Sequence, residues 1–118
     1  DFDFDIAELS KSAGATFVAR TTTYHVQQLT EIIKKAIQHK GFSVVEIMSQ
    51  CPTYFGRKNK LGSAVDMMTR MKEMTVPIGS KKKAENPDLI ERGIFVQTDK
   101  PEYCSEYNRI IERARGGR

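Results

Sequence analysis

Apolar and polar positions are arranged along the chain in blocks that predict a strand, a helix and a second strand. The apolar runs Thr16–Arg20 and Phe42–Ser49 each follow a glycine and end in polar, turn-prone residues. This is the pattern of strands that are buried on both faces and end in loops. Between them, Tyr24–Lys40 carries apolar side chains at three- and four-residue spacing, as in an amphipathic helix. The three segments predict one right-handed βαβ unit.

Weaker patterns on either side of this unit predict further elements. Asp5 is suited to cap a short helix that ends at Gly14. We expect the segments after the unit to be, in order, a polar loop at Cys51–Lys60, a helix at Leu61–Met74, mostly loop at Thr75–Arg92 with one helical turn at Asp88–Arg92, a short strand at Gly93–Gln97 and a helix that opens at Pro101.

The apolar faces of these helices need partners. The face of the Tyr24–Lys40 helix that we expect to lie on a sheet consists of Val26, Leu29, Ile32, Ile33, Ala36 and Ile37. The methionines of the Leu61–Met74 helix are more typical of an adaptable core or a subunit interface than of a cofactor site. The final helix places Tyr103, Tyr107, Ile110, Ile111 and Ala114 on one side. Because two parallel strands leave open edges and cover few helices, we expect the isolated chain to form homo-oligomers.

Three stretches carry a family resemblance: Gly14–Arg20 (GATFVAR), Ile33–Thr53 (IKKAIQHKGFSVVEIMSQCPT) and Gly93–Tyr103 (GIFVQTDKPEY). In this combination the chain resembles the β subunit of 2-oxoacid:acceptor (ferredoxin) oxidoreductases, and its sequence is most like that of the 2-oxoglutarate branch. The resemblance implies an α/β fold, a fragment of a parallel-sheet thiamine-diphosphate-binding domain made of a βαβ unit plus C-terminal helices. Residues 1–60 would form the last part of that domain. Residues 61–118 would form a helical and loop extension with a short strand at 93–97.

The resemblance also implies what the intact enzyme does. Members of this family use thiamine diphosphate and Mg²⁺ to decarboxylate a 2-oxoacid oxidatively, pass electrons to ferredoxin or a similar acceptor, and transfer the acyl group to coenzyme A. The family's metal ligands are a Gly-Asp-Gly motif and a downstream Asn, and this chain contains neither. The resemblance therefore places the cofactor ligands before Asp1 and implies a chain that is inactive by itself. It allows an iron–sulfur cluster in the complex with other subunits, but none in this chain.

Composition leaves one alternative open. The net charge of +4 is concentrated in Lys81-Lys82-Lys83 and near the C-terminus, which permits a stand-alone basic α/β module that binds an anionic protein or nucleic acid. The lysine run lacks interleaved aromatic residues, so a solvated loop or a patch for an acidic protein is favoured over nucleic acid. The two cysteines indicate neither a disulfide framework nor a metal site, which is typical of a cytoplasmic protein, and no apolar stretch predicts a membrane span.

Ligands of open parallel sheets bind beyond the carboxyl ends of the strands, which selects Arg20, Thr22 and Cys51 as candidates to face a cavity of the intact enzyme. We expect no catalytic residue and no metal ligand in the chain. The alternative for Arg20 is a pair with a nearby carboxylate, with Thr23 as a helix cap. The family stretch that corresponds to Ser49–Pro52 reads Ser-Pro-Cys-Pro, and Gln50 is the residue that differs from it. For Cys51 itself, a packed and unreactive thiol is favoured because no base lies nearby. His25 and His39 lie too far apart to share a metal, so we expect both to serve the helix ends.

Overall fold

A computed structural model of the chain describes residues 4–116. Its elements, in chain order, are α1 (Ile6–Ser12), β1 (Phe17–Thr22), α2 (Val26–Gln38), β2 (Ser43–Met48), a π-helical turn (Pro52–Gly56), α3 (Ala64–Glu73), β3 (Thr75–Pro77), α4 (Lys81–Glu85), β4 (Ile90–Gln97) and α5 (Tyr103–Gly116). The four strands form one sheet in the order β2-β1-β4-β3.

The predicted βαβ unit is confirmed. β1 and β2 are parallel neighbours in a register that runs from Phe17 opposite Ser43 to Thr22 opposite Met48, and α2 connects them. β3 and β4 are also parallel to each other, but β4 runs antiparallel to β1. The sheet is larger than the two parallel strands that were expected to form it. The strand predicted at 93–97 is part of β4, which lies on the second side of β1, and β3 extends the sheet beyond it.

The core lies on both faces of β1, all six residues of which are buried. Val18 packs with Ala7 and Ala15 under α1, whereas Phe17 and Ala19 pack with Ile32 of α2. Because successive strand residues point to opposite faces, one continuous apolar run supplies both layers. This is why β1 lacks the alternating pattern of a half-exposed strand.

The apolar face predicted for α2 is wider than the surface that the sheet covers. Ile32 is 3% exposed, but Val26 is 61% and Ile37 is 79% exposed. The stripe that contains Ile32 and Ala36 packs against β1 and β2. Val26, Ile33 and Ile37 of α2 are exposed, as is Ile47 on the neighbouring edge strand.

Two expectations for the second half of the chain were wrong. The helical turn expected at Asp88–Arg92 does not form, because Ile90–Arg92 pairs in parallel with Thr75–Pro77. The segment Cys51–Lys60 is not a plain loop, since a π-helical turn occupies its first half. The division into residues 1–60 and 61–118 stays a prediction, but β3 and β4 of the second part share a sheet with β1 and β2 of the first.

The predicted final helix is present as α5. With α5 included, the molecule is 69 Å long and 33 and 32 Å across. Tyr103 and Tyr107 stack on each other at 5.9 Å between ring centroids, yet they are 76% and 52% exposed. Within residues 4–116, α5 has no buried side chain. No helix in that range is long and apolar enough to cross a membrane.

Candidate functional site

The carboxyl ends of β1 and β2 meet at one edge of the sheet, as predicted. The Thr23 amide donates to the Met48 carbonyl oxygen at 3.0 Å, and the Thr23 hydroxyl donates to Gln50 Oε1 at 3.0 Å. Thr23 therefore ties the two strand-end loops together and does not cap α2, for which the structure shows no side-chain cap. Gln50 helps to hold this edge together, because its side-chain oxygen accepts the hydrogen bond that joins the two loops.

Arg20 forms ion pairs with two carboxylates. Its Nε donates to Glu46 at 2.6 Å and its Nη2 donates to Asp5 at 2.7 Å, while the guanidinium lies 5.3 Å from the centroid of the Phe95 ring. Burial opposes the charge of Arg20, but the bonds and charges of the two carboxylates outweigh it, so its pKa is raised. Arg20 is 8% exposed. Arg20 therefore pairs with nearby carboxylates, which is the alternative considered for it.

Thr22 is likewise bound internally. Its side chain is fully buried, and its hydroxyl lies 2.8 Å from His25 Nδ1 at the start of α2. Burial, followed by the charges of Arg92 and Lys72, lowers the pKa of His25. His39 has a matching place at the other end of α2, with Nε2 2.8 Å from the Thr16 hydroxyl. Both histidines thus serve helix ends, as expected.

Cys51 is the candidate that remains open to solvent. It immediately precedes the π-helical turn Pro52–Gly56, and the backbone amides of Phe55 and Tyr54, together with the Thr53 hydroxyl, lower the pKa of its thiol. The expectation of a packed thiol was wrong, because Cys51 is exposed. The donors are backbone amides and not a basic side chain, so no residue pattern predicts them. A π-helical turn of this kind is common at functional sites.

Cys51 opens onto a cleft of about 500 Å³ with a mainly apolar lining. Sulfur is abundant there: the lining includes Met48, Met67, Met71 and Met74 in addition to the thiol. Met67 and Met71 are buried, and Thr23 holds a contact of 3.9 Å to the sulfur of Met71. The predicted methionine face thus forms partly a core and partly the wall of an open cleft.

A second, larger cleft of about 840 Å³ lies on the α1 side of the sheet. Arg20 and Glu46 contribute to its floor, and the segment after α4 forms a wall that Lys83 fixes by donating to the Pro87 and Leu89 carbonyl oxygens at 2.7 and 2.6 Å. Met48 lines both clefts. Arg20 and Cys51 therefore face neighbouring cavities, whereas Thr22 lies beneath the surface.

Known proteins match this chain in sequence and in fold. Residues 1–47 match the family model "Thiamine pyrophosphate enzyme, C-terminal TPP binding domain". The KorB subunit of 2-oxoglutarate synthase from Methanothermobacter thermautotrophicus is 44% identical over 117 residues, which are 96% of this chain and 41% of that protein. The KorB subunit from Methanocaldococcus jannaschii is 41% identical over 112 residues, 92% of this chain and 42% of that protein. The chain belongs to the β-subunit family of the 2-oxoacid:ferredoxin oxidoreductases.

One solved structure has a part whose fold is similar to that of this chain. The structure of 2-oxoglutarate:ferredoxin oxidoreductase from Magnetococcus marinus, with 2-oxoglutarate, coenzyme A and succinyl-CoA bound, matches with a TM-score of 0.76 and 24% identity. The match covers 97% of this chain and 40% of that one. The chain thus spans about two fifths of the length of the β subunits that it matches.

The β-subunit family implies thiamine diphosphate, and the residues described here do not form a site for it by themselves. Within residues 4–116, no group of three or more acidic, histidine or cysteine side chains is placed to hold a metal ion. The Arg20 cation at the edge of β1 is already neutralised by Glu46 and Asp5, so it is not free to hold a diphosphate.

Proposed function

We propose that this chain is part of the β subunit of a 2-oxoglutarate:acceptor oxidoreductase, which converts 2-oxoglutarate and coenzyme A to an acyl-CoA and carbon dioxide and passes the electrons to ferredoxin or a similar acceptor. The observation that carries the proposal is the alignment of 96% of the chain with a KorB subunit at 44% identity. Thiamine diphosphate and Mg²⁺ would be held by the rest of the subunit. The enzyme would work in the cytoplasm with its other subunits.

Within that enzyme, we assign the chain a supporting surface with one chemically active group. Cys51 is exposed, its pKa is lowered, and it lies at the carboxyl edge of the sheet beside an apolar cleft. The thiolate is the form that attacks electrophiles and binds soft metals. In the intact enzyme Cys51 would reach a group held by the remainder of the complex, whereas Arg20 and Thr22 would keep the edge of β1 rigid.

The test uses the intact complex with all its subunits. We expect 2-oxoglutarate to support coenzyme A-dependent reduction of ferredoxin at a higher kcat/KM than pyruvate does, and we expect the 118-residue chain alone to give a flat calorimetric titration with thiamine diphosphate and Mg²⁺. A complex that prefers pyruvate would contradict the assigned substrate. Low-micromolar binding of the cofactor by the isolated chain would contradict its supporting role.

The role of Cys51 is tested separately by Cys51→Ser in the same complex. We expect at least a tenfold loss of kcat with normal subunit assembly, about 1.4 kcal/mol in the activation barrier. Cys104→Ser, which removes the other exposed thiol on α5, is the matched control and should leave turnover unchanged. Equal activity of the two variants would show that Cys51 takes no part in the reaction.

A further inference from the structure

The final helix α5 has an apolar face that is mostly exposed. Tyr103, Tyr107 and Ile110 are 76%, 52% and 55% exposed, and none of the side chains of α5 is buried within residues 4–116. Isolated helices of about 12–15 residues are marginal in water, because most helical stability in proteins comes from the packing of an amphipathic face. Since α5 is 14 residues long, a partner that covers this face would stabilise the helix.

The apolar residues of α5 follow the spacing of a coiled coil. Tyr103, Tyr107, Ile110 and Ala114 are separated by four, three and four positions, which is the alternation of the a and d positions of a heptad. The rings of Tyr103 and Tyr107 stack with their centroids 5.9 Å apart, so they form one continuous surface. We call these four residues the α5 seam. Its spacing favours another helix as the partner.

The residue sizes of the α5 seam are complementary to those of an antiparallel copy. In that orientation Tyr103 of one copy faces Ala114 of the other, and Tyr107 faces Ile110; two-fold symmetry repeats both layers. A large side chain thus meets a small one at each end, as close packing requires. A parallel pair would place Tyr103 against Tyr103 and Ala114 against Ala114, and the helix separation would be uneven.

The charges of α5 are complementary to an antiparallel copy as well. Residues 102–108 contain two glutamates and no basic residue, whereas residues 109–116 contain three arginines and one glutamate. Glu106 and Arg113 flank the α5 seam on the same side, at the g positions, whose charges set the orientation of paired helices. In an antiparallel pair each Glu106 faces the Arg113 of the other copy. A parallel pair would bring the two basic ends together, which is unfavourable.

Glu106 and Arg113 are accessible for such contacts. Glu106 Oε1 accepts from Arg109 Nη1 at 2.7 Å on its own helix, and these side chains are 42% and 66% exposed. Solvent screens a pair of this kind, and Glu106 Oε2 can accept from a second arginine. Arg113 is exposed. Together with Arg109 and Glu112, the two residues line an open groove of about 540 Å³ on α5.

We propose that α5 is a docking surface for a second copy of this subunit, in which two α5 helices pair antiparallel through the α5 seam. The second copy is the occupant because both the sizes and the charges of α5 match their own two-fold image. The proposal rests on α5 and not on the reaction assigned above. It also applies to the intact complex and defines a surface and an orientation, which the general expectation of self-association does not.

The first experiment measures, by sedimentation, the Kd between two copies of the intact complex. Glu106→Arg and Arg113→Glu each turn two ion pairs into two like-charge contacts, so we expect each to raise the Kd about tenfold. The two changes in one chain restore opposite charges and should return the Kd to within about threefold of the wild type. Lys82→Glu on α4 is the control for a change of charge and should leave the Kd unchanged.

The rescue by the double variant separates a second copy from any other partner. A double variant as weak as the single variants would overturn the proposal, because α5 would then contact a different protein. A wild-type complex that contains one β subunit at every concentration would overturn it too. Where the complex does not dissociate in the accessible range, the decision passes to cross-linking.

Cross-linking tests the orientation in a background in which Cys51→Ser and Cys104→Ser remove the exposed thiols of this chain. Glu106→Cys combined with Arg113→Cys should give a disulfide-linked pair of β subunits under mild oxidation. Within one copy the two positions lie about 10 Å apart along the helix, too far for a disulfide. Glu106→Cys alone is the matched control and should give no linked pair. A linked pair from this control would indicate parallel helices, and no linked pair from the double variant would show that α5 does not meet its copy; either result overturns the proposal.

Discussion

The ion pairs of Arg20 make a quantitative prediction, because its two carboxylate partners differ in exposure. Arg20 Nε and Glu46 are joined at 2.6 Å, with side-chain exposures of 9% and 22%. The bond to Asp5 is 2.7 Å long, but the Asp5 side chain is 48% exposed. Solvent screens the second pair much more than the first. We therefore expect Glu46 to be the dominant partner.

The magnitudes follow from the burial of each pair. A hydrogen bond to a charged group contributes about 1.5–3 kcal/mol when it is shielded from water, which applies to Arg20 and Glu46. A half-exposed pair contributes about 1 kcal/mol or less, which applies to Arg20 and Asp5. Asp5 also accepts from the Glu8 amide as the N-cap of α1, a contribution of about 1 kcal/mol that does not involve Arg20.

Double-mutant cycles in the full-length subunit separate these terms. The variants are Arg20→Ala, Glu46→Ala, Asp5→Ala and the two doubles that contain Arg20→Ala, and urea unfolding gives the free energy of each. We expect a coupling of about 2 kcal/mol for the pair with Glu46 and less than about 1 kcal/mol for the pair with Asp5. Equal couplings, or a coupling to Glu46 below about 0.5 kcal/mol, would refute the reasoning.

Four further outcomes are expected. Because amides lower the pKa of Cys51 while the Glu102 carboxylate raises that of Cys104, iodoacetamide at pH 7.5 should modify Cys51 severalfold faster in peptide mass spectra, and equal rates would contradict this. Gly56→Ala should lower the free energy of unfolding in urea by about 1 kcal/mol, since the added Cβ would lie 2.6 Å from the sulfur of the buried Met67. Gly116→Ala should leave the free energy of unfolding unchanged, because no atom lies within 4 Å of the added Cβ. Folding lowers the pKa of Asp5 from its ordinary value of 3.8, so the ionised carboxylate stabilises the folded state above that pH and this contribution is lost as the pH falls below it. The difference in the free energy of unfolding between the wild type and Asp5→Asn should therefore become smaller from pH 5 to pH 3. A constant difference would contradict the assignment. Finally, the isolated chain should sediment as a concentration-dependent oligomer, and a single 13.4 kDa species would show that its core is sufficient.

Local periodicity determined the elements whose neighbours are close in sequence. β1, α2 and β2 were predicted because a buried strand needs an unbroken apolar run and an amphipathic helix needs a three- to four-residue spacing. The pairing of Arg20 with Glu46 was also within reach, since the βαβ register places the two residues opposite each other on parallel strands. The sequence offered this carboxylate as an alternative but did not name it.

Tertiary structure decided what depends on distant residues. β4 begins at Ile90 and not at Gly93 because β3, contributed by residues 75–77, pairs with its first three residues. Cys51 is acidified by the amides of a π-helical turn, and backbone geometry of that kind leaves no residue pattern. Arg92 and Gln28 are separated by 64 positions, and only the tertiary structure brings the Arg92 guanidinium to within 2.7 Å of the Gln28 side-chain oxygen.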